Sequence, residues 1–248
     1  MDYEDIPSLD TQVAMHHLNI NLDVKLVKQQ QRRFRPEIME LIESKVKKLI
    51  DSNFVWEEQH PDWVVNIISV SKKTRKIRLC TDFCDLNAAY PKDEFSLPIT
   101  DVMFDSVYDF KRMSFIDGFS GYNQIKIYPE DEKHTSFRTP QEVYCYTLMP
   151  FDLNNTGATY QRAMNTIFHK HICKTVECYI DDIAVKTHDK SDHLADLKRV
   201  FDIMQAYQLK MNPTKSFPGV ASSKFFRFVV TSKGIHLDPK KVHAIQEM

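Results

Sequence analysis

The segment around which the rest of the sequence is organised reads Thr175-Val176-Glu177-Cys178-Tyr179-Ile180-Asp181-Asp182-Ile183-Ala184-Val185. Two adjacent acids interrupt a run of apolar and β-prone residues, and burying unpaired carboxylates in such a run is costly. A β-hairpin with Asp181 and Asp182 at its tip lets both acids face solvent. Carboxylate oxygens at a hairpin tip suit Mg²⁺, which prefers oxygen ligands. For this stretch alone, a polar turn that happens to hold two acids is the alternative.

A matching acid lies upstream, where a short apolar strand around Phe115 ends at Asp117. Gly118 then permits a turn. Asp117 precedes Asp181 by 64 residues, so only a sheet can bring the two together. Three carboxylates on neighbouring strands can hold two metal ions about 3.5–4 Å apart, an arrangement that activates an attacking hydroxyl and stabilises a leaving phosphate oxygen.

These acids belong to a series of motifs that resembles the reverse transcriptase domain of a long-terminal-repeat retrotransposon Pol polyprotein. The class is gypsy-like, and the likeness is greatest to plant elements. It extends over nearly the whole chain. Besides the Tyr-Ile-Asp-Asp tetrad, the motifs that carry it are residues 78–87, 91–95, 114–127, 149–161 and 234–242.

The resemblance implies an α+β fold, a right-hand polymerase palm with fingers in which an antiparallel sheet packs on helices. Fingers are expected at about residues 31–91 and 125–155, and palm at about 92–124 and 156–232. Residues 1–30 are interpreted as an N-terminal connector. Residues 233–248 are interpreted as the start of a truncated thumb, because the apolar pattern breaks off at the last residue and no ribonuclease H segment follows.

By resemblance, Asp117 and Asp181 bind two Mg²⁺ ions, for which Mn²⁺ can substitute, and Asp182 completes the acidic cluster. The implied reaction is the addition of a deoxynucleotide to a primer 3′-hydroxyl on an RNA or DNA template. The implied partners are template with primer, deoxynucleoside triphosphates, and a second subunit or other Pol segments. The implied location is intracellular, in a cytoplasmic particle or the nucleus.

The resemblance also implies a nucleotide site. Lys73 and Arg78, on a basic fingers hairpin, would hold the triphosphate. Tyr122 would pack under the sugar and reject a 2′-hydroxyl, and Phe151 would line the nucleotide side of the cleft. The alternatives are a solvated basic turn for the two cations and plain core packing for Tyr122.

Composition excludes several other classes. The 248 residues carry 33 basic and 34 acidic side chains, so the net charge of −1 gives no nucleic-acid signal, although residues 72–78 hold five cations. The five cysteines are odd in number and form no CxxC pair, which argues for reduced thiols and against a disulfide framework or zinc site. No apolar run approaches the ~18 residues of a membrane span.

Helical periodicity predicts two core-packing helices. Pro36 opens the first, as proline can at the first helical position. Ser191 is expected to cap the second. The apolar stripe predicted for this second helix consists of Leu194, Leu197, Val200, Phe201 and Met204. Residues 224–231 are predicted to form a strand pair, and Asp238 to cap a further helix.

Five positions depart from the family motifs. Arg75, Glu142, Asp152 and Arg227 stand where the motifs have glycine, and Cys84 stands where they have arginine. A side chain at a position that needs positive φ costs roughly 1 kcal/mol or more. Only five glycines occur, about 2% against a usual ~7%.

Three hypotheses follow. The chain is an active polymerase, a decayed copy that keeps the fold and binds nucleic acid weakly, or a metal-dependent phosphoesterase with a similar acidic triad. The glycine replacements are those that single G-to-A changes give, which motivates the second hypothesis. Intact flanking reading frames, with the same residues in relatives, would contradict it. Tyr122 and Arg78 argue against the third hypothesis, because a hydrolase needs no sugar gate.

Overall fold

The computed structural model describes residues 8–21, 23–71, 77–107, 110–189, 191–220, 222–225, 228–231 and 234–237. The helices are α1 (Pro36–Asp51), α2 (Cys84–Ala88), α3 (Thr100–Val107), α4 (Thr156–Ile167) and α5 (His193–Ala206). The strands are β1 (Met15–His16), β2 (Val55–Glu57), β3 (Val65–Ser71), β4 (Ile77–Thr81), β5 (Arg112–Asp117), β6 (Lys126–Ile127), β7 (Phe137–Arg138), β8 (Val143–Tyr146), β9 (Val176–Tyr179), β10 (Asp182–Thr187), β11 (Phe217–Val220), β12 (Ser222–Phe225), β13 (Phe228–Thr231) and β14 (Gly234–Leu237). Short 3₁₀-helices lie at Gly121–Gln124 and Glu132–Thr135. Helices and sheets are mixed, so the α+β prediction is confirmed.

The described residues form two units. Unit 1 comprises residues up to 94 together with 122–159, and unit 2 comprises 95–121 together with those from 160 onward. The fingers and palm boundaries drawn from the sequence are functional assignments and stay predictions.

Unit 1 is built on a five-stranded sheet in the order β2-β8-β7-β3-β4. Its core lies among this sheet, α1 and α2. The largest buried side chains of that core are Phe54, Trp63, Phe83 and Phe137. Residues from the predicted N-terminal connector join the unit, because β1 pairs in parallel with β6 and Leu18 belongs to the buried core.

Helix α1 begins as the sequence predicts. Arg35 is extended and Pro36 takes the first turn, where its missing N–H is not needed. Ile42 and Val46 are buried. In the last turn, Leu49 packs against the core, whereas Ile50 is 40% exposed.

Unit 2 is built on an antiparallel sheet in the order β11-β5-β10-β9. A separate sheet joins β12, β13 and β14. Lys224 pairs with Val229 across β12 and β13, which confirms the strand pair predicted over residues 224–231. The helix predicted after Asp238 lies outside the described residues.

Helix α5 differs from the prediction in its start and in its buried face. Its N-cap is Asp192, which makes no side-chain capping hydrogen bond, so the prediction that Ser191 caps it is wrong. Leu194 is 77% exposed and Phe201 37% exposed, so the predicted stripe is wrong at both positions. Leu197, Val200 and Met204 are buried as predicted.

Two polar residues of α5 take the buried places instead. His193 is hydrogen-bonded to Ser114 of β5, with 2.7 Å between Nε2 and Oγ, and to Thr187 of β10, with 3.0 Å between Nδ1 and Oγ1. Thr187 also donates a hydrogen bond to Asp196, at 3.1 Å. These bonds satisfy polar groups that would otherwise be costly to bury. They also hold the first turn of the helix against β5 and β10.

Candidate active site

The two adjacent acids sit at a tight hairpin. Tyr179 of β9 pairs with Asp182 of β10, so Ile180 and Asp181 form a two-residue turn between the strands. Ile180 has a φ of 51°, which is unusual for a β-branched residue. Such strain, of order 1–3 kcal/mol, persists only where the surroundings hold the residue in place.

Gln161 of α4 holds this strained turn. Its Oε1 accepts a hydrogen bond from the Ile180 amide at 2.8 Å, and its Nε2 donates to the Cys178 carbonyl at 3.0 Å. Gln161 is fully buried. One side chain therefore binds the backbone on the turn and on the strand that leads into it. The sequence contains Gln161 in a family motif, but its role depends on contacts that the motif does not show.

Asp117 lies at the end of β5, directly opposite Asp182 in the antiparallel pairing with β10. The Gly118 amide donates a hydrogen bond of 2.9 Å to the Asp181 carbonyl. Strand pairing thus brings Asp117 beside the two acids of the hairpin, as the sequence argument requires. The metal and catalytic roles of the three carboxylates stay predictions.

Burial and neighbouring carboxylates raise the pKa values of the two acids of the hairpin. The pKa of Asp181 is raised from 3.8 to about 7, chiefly because burial disfavours the charged form and then because Asp117 and Asp182 repel it. The pKa of Asp182 is also raised, by burial first and by Asp117 second. The Lys215 ammonium acts in the opposite direction on both. Within the described part of the chain, the buried Asp181 Oδ1 has no hydrogen-bond partner.

Glycine is required on the turn that follows Asp117. A Cβ at Gly121 would lie 2.0 Å from the Asp181 Oδ1 and 2.9 Å from the Tyr160 hydroxyl. A Cβ at Gly118 would lie 3.1 Å from the same hydroxyl. The backbone at Gly121 therefore approaches the Asp181 carboxylate more closely than any side chain allows.

The structure adds a cation to the site, Lys215, which was not predicted from the sequence. Its Nζ lies 3.3 Å from Oδ1 and 3.5 Å from Oδ2 of Asp117. No group of three His, Cys, Asp or Glu side chains in the described residues converges closely enough to hold a metal ion. The geometry therefore shows neighbouring carboxylates with Lys215 on Asp117, and not a finished metal-ligand set.

The structure describes only some of the residues that are predicted to contact the nucleotide. The rings of Tyr122 and Phe151 lie edge to face, with 5.4 Å between their centroids. Arg78 pairs through its backbone with Val70 in the β3–β4 hairpin, and its side chain lies outside the described part. Lys73 lies outside the described residues.

A pocket of about 290 Å³ lies in unit 1. Phe151 and Asp152 form part of its wall, together with residues of the sheet and of α1. The remaining lining residues include Lys45, Lys48, Leu79, Thr81, Asn123, Phe137 and Tyr146.

The departures from the glycine motif have different structural consequences. Asp152 has a φ of 71°, the left-handed conformation that glycine adopts most easily. Glu142 is not among the described residues with a positive φ. The prediction that a side chain at this position strains the backbone is therefore wrong. Its turn is closed by a 2.9 Å hydrogen bond from the Thr139 amide to the Glu142 carbonyl. Arg75 and Arg227 lie outside the described residues, and Cys84 is the first residue of α2.

Comparison with solved structures shows the class of fold. The chain is similar to a foamy viral protease–reverse transcriptase in complex with an RNA/DNA hybrid, with a TM-score of 0.82 and 19% identity over 98% of this chain and 32% of that one. It is equally similar, at 21% identity, to a foamy viral protease–reverse transcriptase in complex with double-stranded DNA, over 93% of this chain and 40% of that one. The fold is therefore the α+β right-hand fold of polymerases, as predicted.

Sequence comparison shows the family. The model of the reverse transcriptase (RNA-dependent DNA polymerase) family matches residues 70–230. The chain is 32% identical over 188 residues to a Pol polyprotein from the Drosophila melanogaster transposon opus, which covers 76% of this chain and 19% of the relative. It is 26% identical over 219 residues to that of transposon gypsy from the same organism, covering 85% and 21%. The chain belongs to the reverse transcriptase family, and it spans about a fifth of the length of these relatives.

The helices of the described residues include none that is both long and apolar enough to cross a membrane.

Proposed function

We propose that this chain is an RNA-directed DNA polymerase that extends a primer on a nucleic acid template by two-metal catalysis. The primer 3′-oxygen forms a bond to the α-phosphorus of a deoxynucleoside triphosphate. The bond from that phosphorus to pyrophosphate breaks, and the hydroxyl loses its proton. The observation that carries the proposal is the pairing of Asp117 opposite Asp182, beside the turn that holds Asp181, in a chain of the reverse transcriptase family.

The chemistry of the donor set, all carboxylate oxygens, suits hard divalent cations. Its ligands would be the carboxylate oxygens of Asp117, Asp181 and Asp182, which suit Mg²⁺ or Mn²⁺. The buried Oδ1 of Asp181 lacks a hydrogen-bond partner among the described residues, as expected of an oxygen reserved for a cation. When bound, such ions supply charge stabilisation for the attacking and leaving oxygens.

The protein contributes by holding these carboxylates in place. Gln161 fixes the turn that carries Asp181. Gly121 lets the backbone approach the Asp181 carboxylate. Positioning and preorganised charge account for most of the catalysis in phosphoryl transfer, so the rigidity of strand and turn is itself part of the function.

Residues of unit 1 would bind the incoming deoxynucleotide. The aromatic pair Tyr122 and Phe151 offers surface to the sugar and base of an incoming deoxynucleotide, and Lys73 and Arg78 offer charge to its triphosphate. The partners would be a primed RNA or DNA template, in keeping with the hybrid and duplex bound by similar proteins, and a second subunit or other Pol segments. The polymerase would act inside the cell, in a cytoplasmic particle or the nucleus.

A second candidate is a decayed copy that binds nucleic acid without extending a primer. The observation that favours it is Asp152, which keeps a glycine-like φ of 71°. Asp152 also brings a negative charge to the pocket that it shares with Phe151. If a nucleotide phosphate lies near this position, that charge repels it.

Primer extension on a short RNA template, with Mg²⁺ or Mn²⁺, tests both candidates. The unsubstituted chain is compared with Asp181→Asn and with a double variant that restores glycine, Asp152→Gly with Arg227→Gly. We expect incorporation by the unsubstituted chain that Asp181→Asn abolishes while its circular dichroism spectrum stays unchanged.

Incorporation only by the glycine-restored form would identify the decayed copy. If neither the unsubstituted chain nor the glycine-restored form incorporates deoxynucleotides, the polymerase proposal for this chain is contradicted. Retained incorporation by Asp181→Asn would contradict the assigned site. A fluorescence anisotropy measurement with a labelled RNA/DNA hybrid then decides whether nucleic acid binding remains.

A further inference from the structure

The short turn from Asn212 to Ser216 is docked on the backbone of Asp117. The Asn212 amide donates to the Asp117 carbonyl at 2.8 Å, and the Asp117 amide donates to the Ser216 hydroxyl at 3.3 Å. The Phe119 amide donates to the Lys210 carbonyl at 3.1 Å. The turn is therefore hydrogen-bonded to both the amide and the carbonyl of Asp117. These bonds fix the position of the turn relative to Asp117.

The same turn is closed by its own polar side chains. Asn212 Oδ1 accepts hydrogen bonds from the Thr214 amide at 3.1 Å and from the Thr214 hydroxyl at 2.7 Å. Ser216 donates its hydroxyl to the Asn212 carbonyl at 2.6 Å. Such side-chain to backbone bonds stabilise turns that carry Asn, Ser and Thr. The backbone of Lys215, between Thr214 and Ser216, is consequently fixed beside Asp117.

From this position the Lys215 ammonium contacts both carboxylate oxygens of Asp117, at 3.3 and 3.5 Å. The Lys215 side chain is 65% exposed and that of Asp117 is 24% exposed. An exposed ammonium on a flexible stem can leave such a pair at little cost. The contact is therefore held in place by the turn, yet it is weak enough to exchange.

We infer that Lys215 is a resident counter-ion of the acidic site, which a divalent cation must displace from Asp117 in order to bind there. The inference rests on the proposed function, because it concerns cations at the same carboxylates. An ammonium and a metal ion compete for the same oxygen lone pairs and repel each other. Lys215 is thus a positioning residue that acts through Asp117 and sets the affinity of the site for cations.

The test is Mn²⁺ binding to the full 248-residue chain without nucleotide, followed by the loss of the electron paramagnetic resonance signal of free Mn²⁺. Buffer at pH 8.5 under nitrogen keeps the carboxylates ionised and the metal reduced. The variants are Lys215→Met, the charge-retaining Lys215→Arg, and Asp117→Asn. Lys174→Met is the matched control, since it removes an exposed lysine from the turn before β9.

We expect Lys215→Met to bind Mn²⁺ about two- to fivefold more tightly than the unsubstituted chain, the range expected for the loss of an exposed ion pair. Lys215→Arg and Lys174→Met should bind as the unsubstituted chain does. Asp117→Asn should lose binding. Because Lys215 and Lys174 are exposed, their variants should keep the circular dichroism spectrum of the unsubstituted chain.

Equal or weaker binding by Lys215→Met, with binding still lost in Asp117→Asn, would overturn the counter-ion role and leave the metal site standing. Tighter binding by Lys174→Met to the same extent would also overturn it, because the effect would then be one of net charge. Absence of Asp117-dependent binding in every form would overturn this inference and the metal assignment together.

Discussion

Asp182 lies directly opposite Asp117 in the antiparallel pairing of β10 with β5. Opposed residues share one face of a sheet, and a shift of one residue would turn either acid to the other face. The next pair, Ile183 opposite Ile116, is buried at 1% and 3% exposure. Apolar burial therefore fixes the register that places the acids together, so that the site depends on the core of unit 2.

The first prediction concerns the stability of Asp181→Asn. The pKa of Asp181 is about 7 in the folded chain, against an ordinary 3.8. The folded chain therefore binds this proton more tightly, and its free energy of unfolding falls as pH rises from about 4 to about 7. Asn carries no charge, so at pH 8 we expect Asp181→Asn to be more stable by about 1–4 kcal/mol.

Urea denaturation at pH 4 and pH 8 measures this difference. The gain should be small at pH 4, where the acid is protonated in the folded chain and partly protonated in the unfolded one. Asp202→Asn, on an exposed position of α5, is the control for removing a surface carboxylate. A gain of the same size at both pH values would contradict the cause given for the shifted pKa.

The second prediction is that Gln161→Met loosens the hairpin turn. Methionine has a similar volume but cannot replace the hydrogen bonds to Ile180 and Cys178. We expect a loss of about 1–3 kcal/mol in the free energy of unfolding and faster hydrogen exchange at the Ile180 amide. Asn165→Ala removes a further hydrogen-bond partner of Gln161 without altering the turn, and should leave that exchange rate unchanged. Unchanged Ile180 exchange in Gln161→Met would argue against its role.

The third prediction is that Gly121→Ala distorts the site. The new Cβ would begin 2.0 Å from the Asp181 Oδ1, so either the carboxylate or the turn must move. We expect the free energy of unfolding to fall by about 1–3 kcal/mol and primer extension to be lost. Gly157→Ala, in the first turn of α4, is the control, because alanine there raises helix propensity. Full activity in Gly121→Ala would contradict the close approach.

Local patterns in the sequence predict the elements that carry the three acids. The tetrad marks a hairpin because two charges interrupt a β-prone run, and Asp117 ends a strand that apolar residues define. Helix α1 begins at Pro36 for the equally local reason that proline suits the first turn. The strain at Asp152 is predicted by comparison with a glycine in the family motif, and its φ of 71° agrees.

The sequence does not reveal contacts between distant segments of the chain. Lys215 lies in a polar turn with no periodicity, and only docking on Asp117 gives it a role. Helix α5 buries His193 and Asp196 because Thr187, on another element, supplies their hydrogen bonds. Polar residues such as these count as exposed when a buried face is predicted from apolar periodicity, which is why the predicted face of α5 is wrong.

The fourth prediction compares two replaced glycines. Asp152→Gly should raise the free energy of unfolding by about 0.5–1 kcal/mol, because glycine adopts a φ of 71° without steric cost. Glu142→Gly should give no gain and a small loss, because Glu142 has no positive φ and glycine increases the entropy of the unfolded chain. Urea denaturation at pH 7 measures both. Equal gains in the two variants would contradict the difference in backbone conformation.

The fifth prediction concerns a buried ion pair between β9 and β10, the two strands of the hairpin that carries Asp181 and Asp182. Lys186 of β10 and Glu177 of β9 are joined at 2.8 Å, and their side chains are only 2% and 6% exposed. Lys186 also donates to the Ser106 carbonyl at 2.9 Å and lies over the Phe110 ring at 4.6 Å. The Ser106 hydroxyl donates to Glu177 at 2.9 Å. These contacts link the two strands of the acidic hairpin to α3 and the segment that follows it.

Lys186→Met leaves Glu177 buried without its partner, and we expect it to cost about 3–5 kcal/mol of unfolding free energy. Glu177→Gln should cost less, because an amide can still accept the hydrogen bonds from Ser106 and Lys186. The double variant Lys186→Met with Glu177→Met removes both charges, so it should be more stable than Lys186→Met alone. Urea denaturation of the unsubstituted chain, the single variants Lys186→Met and Glu177→Met, and their double variant gives the coupling energy between the two residues. A double variant whose loss equals the sum of the two single losses would show that the pair is not coupled.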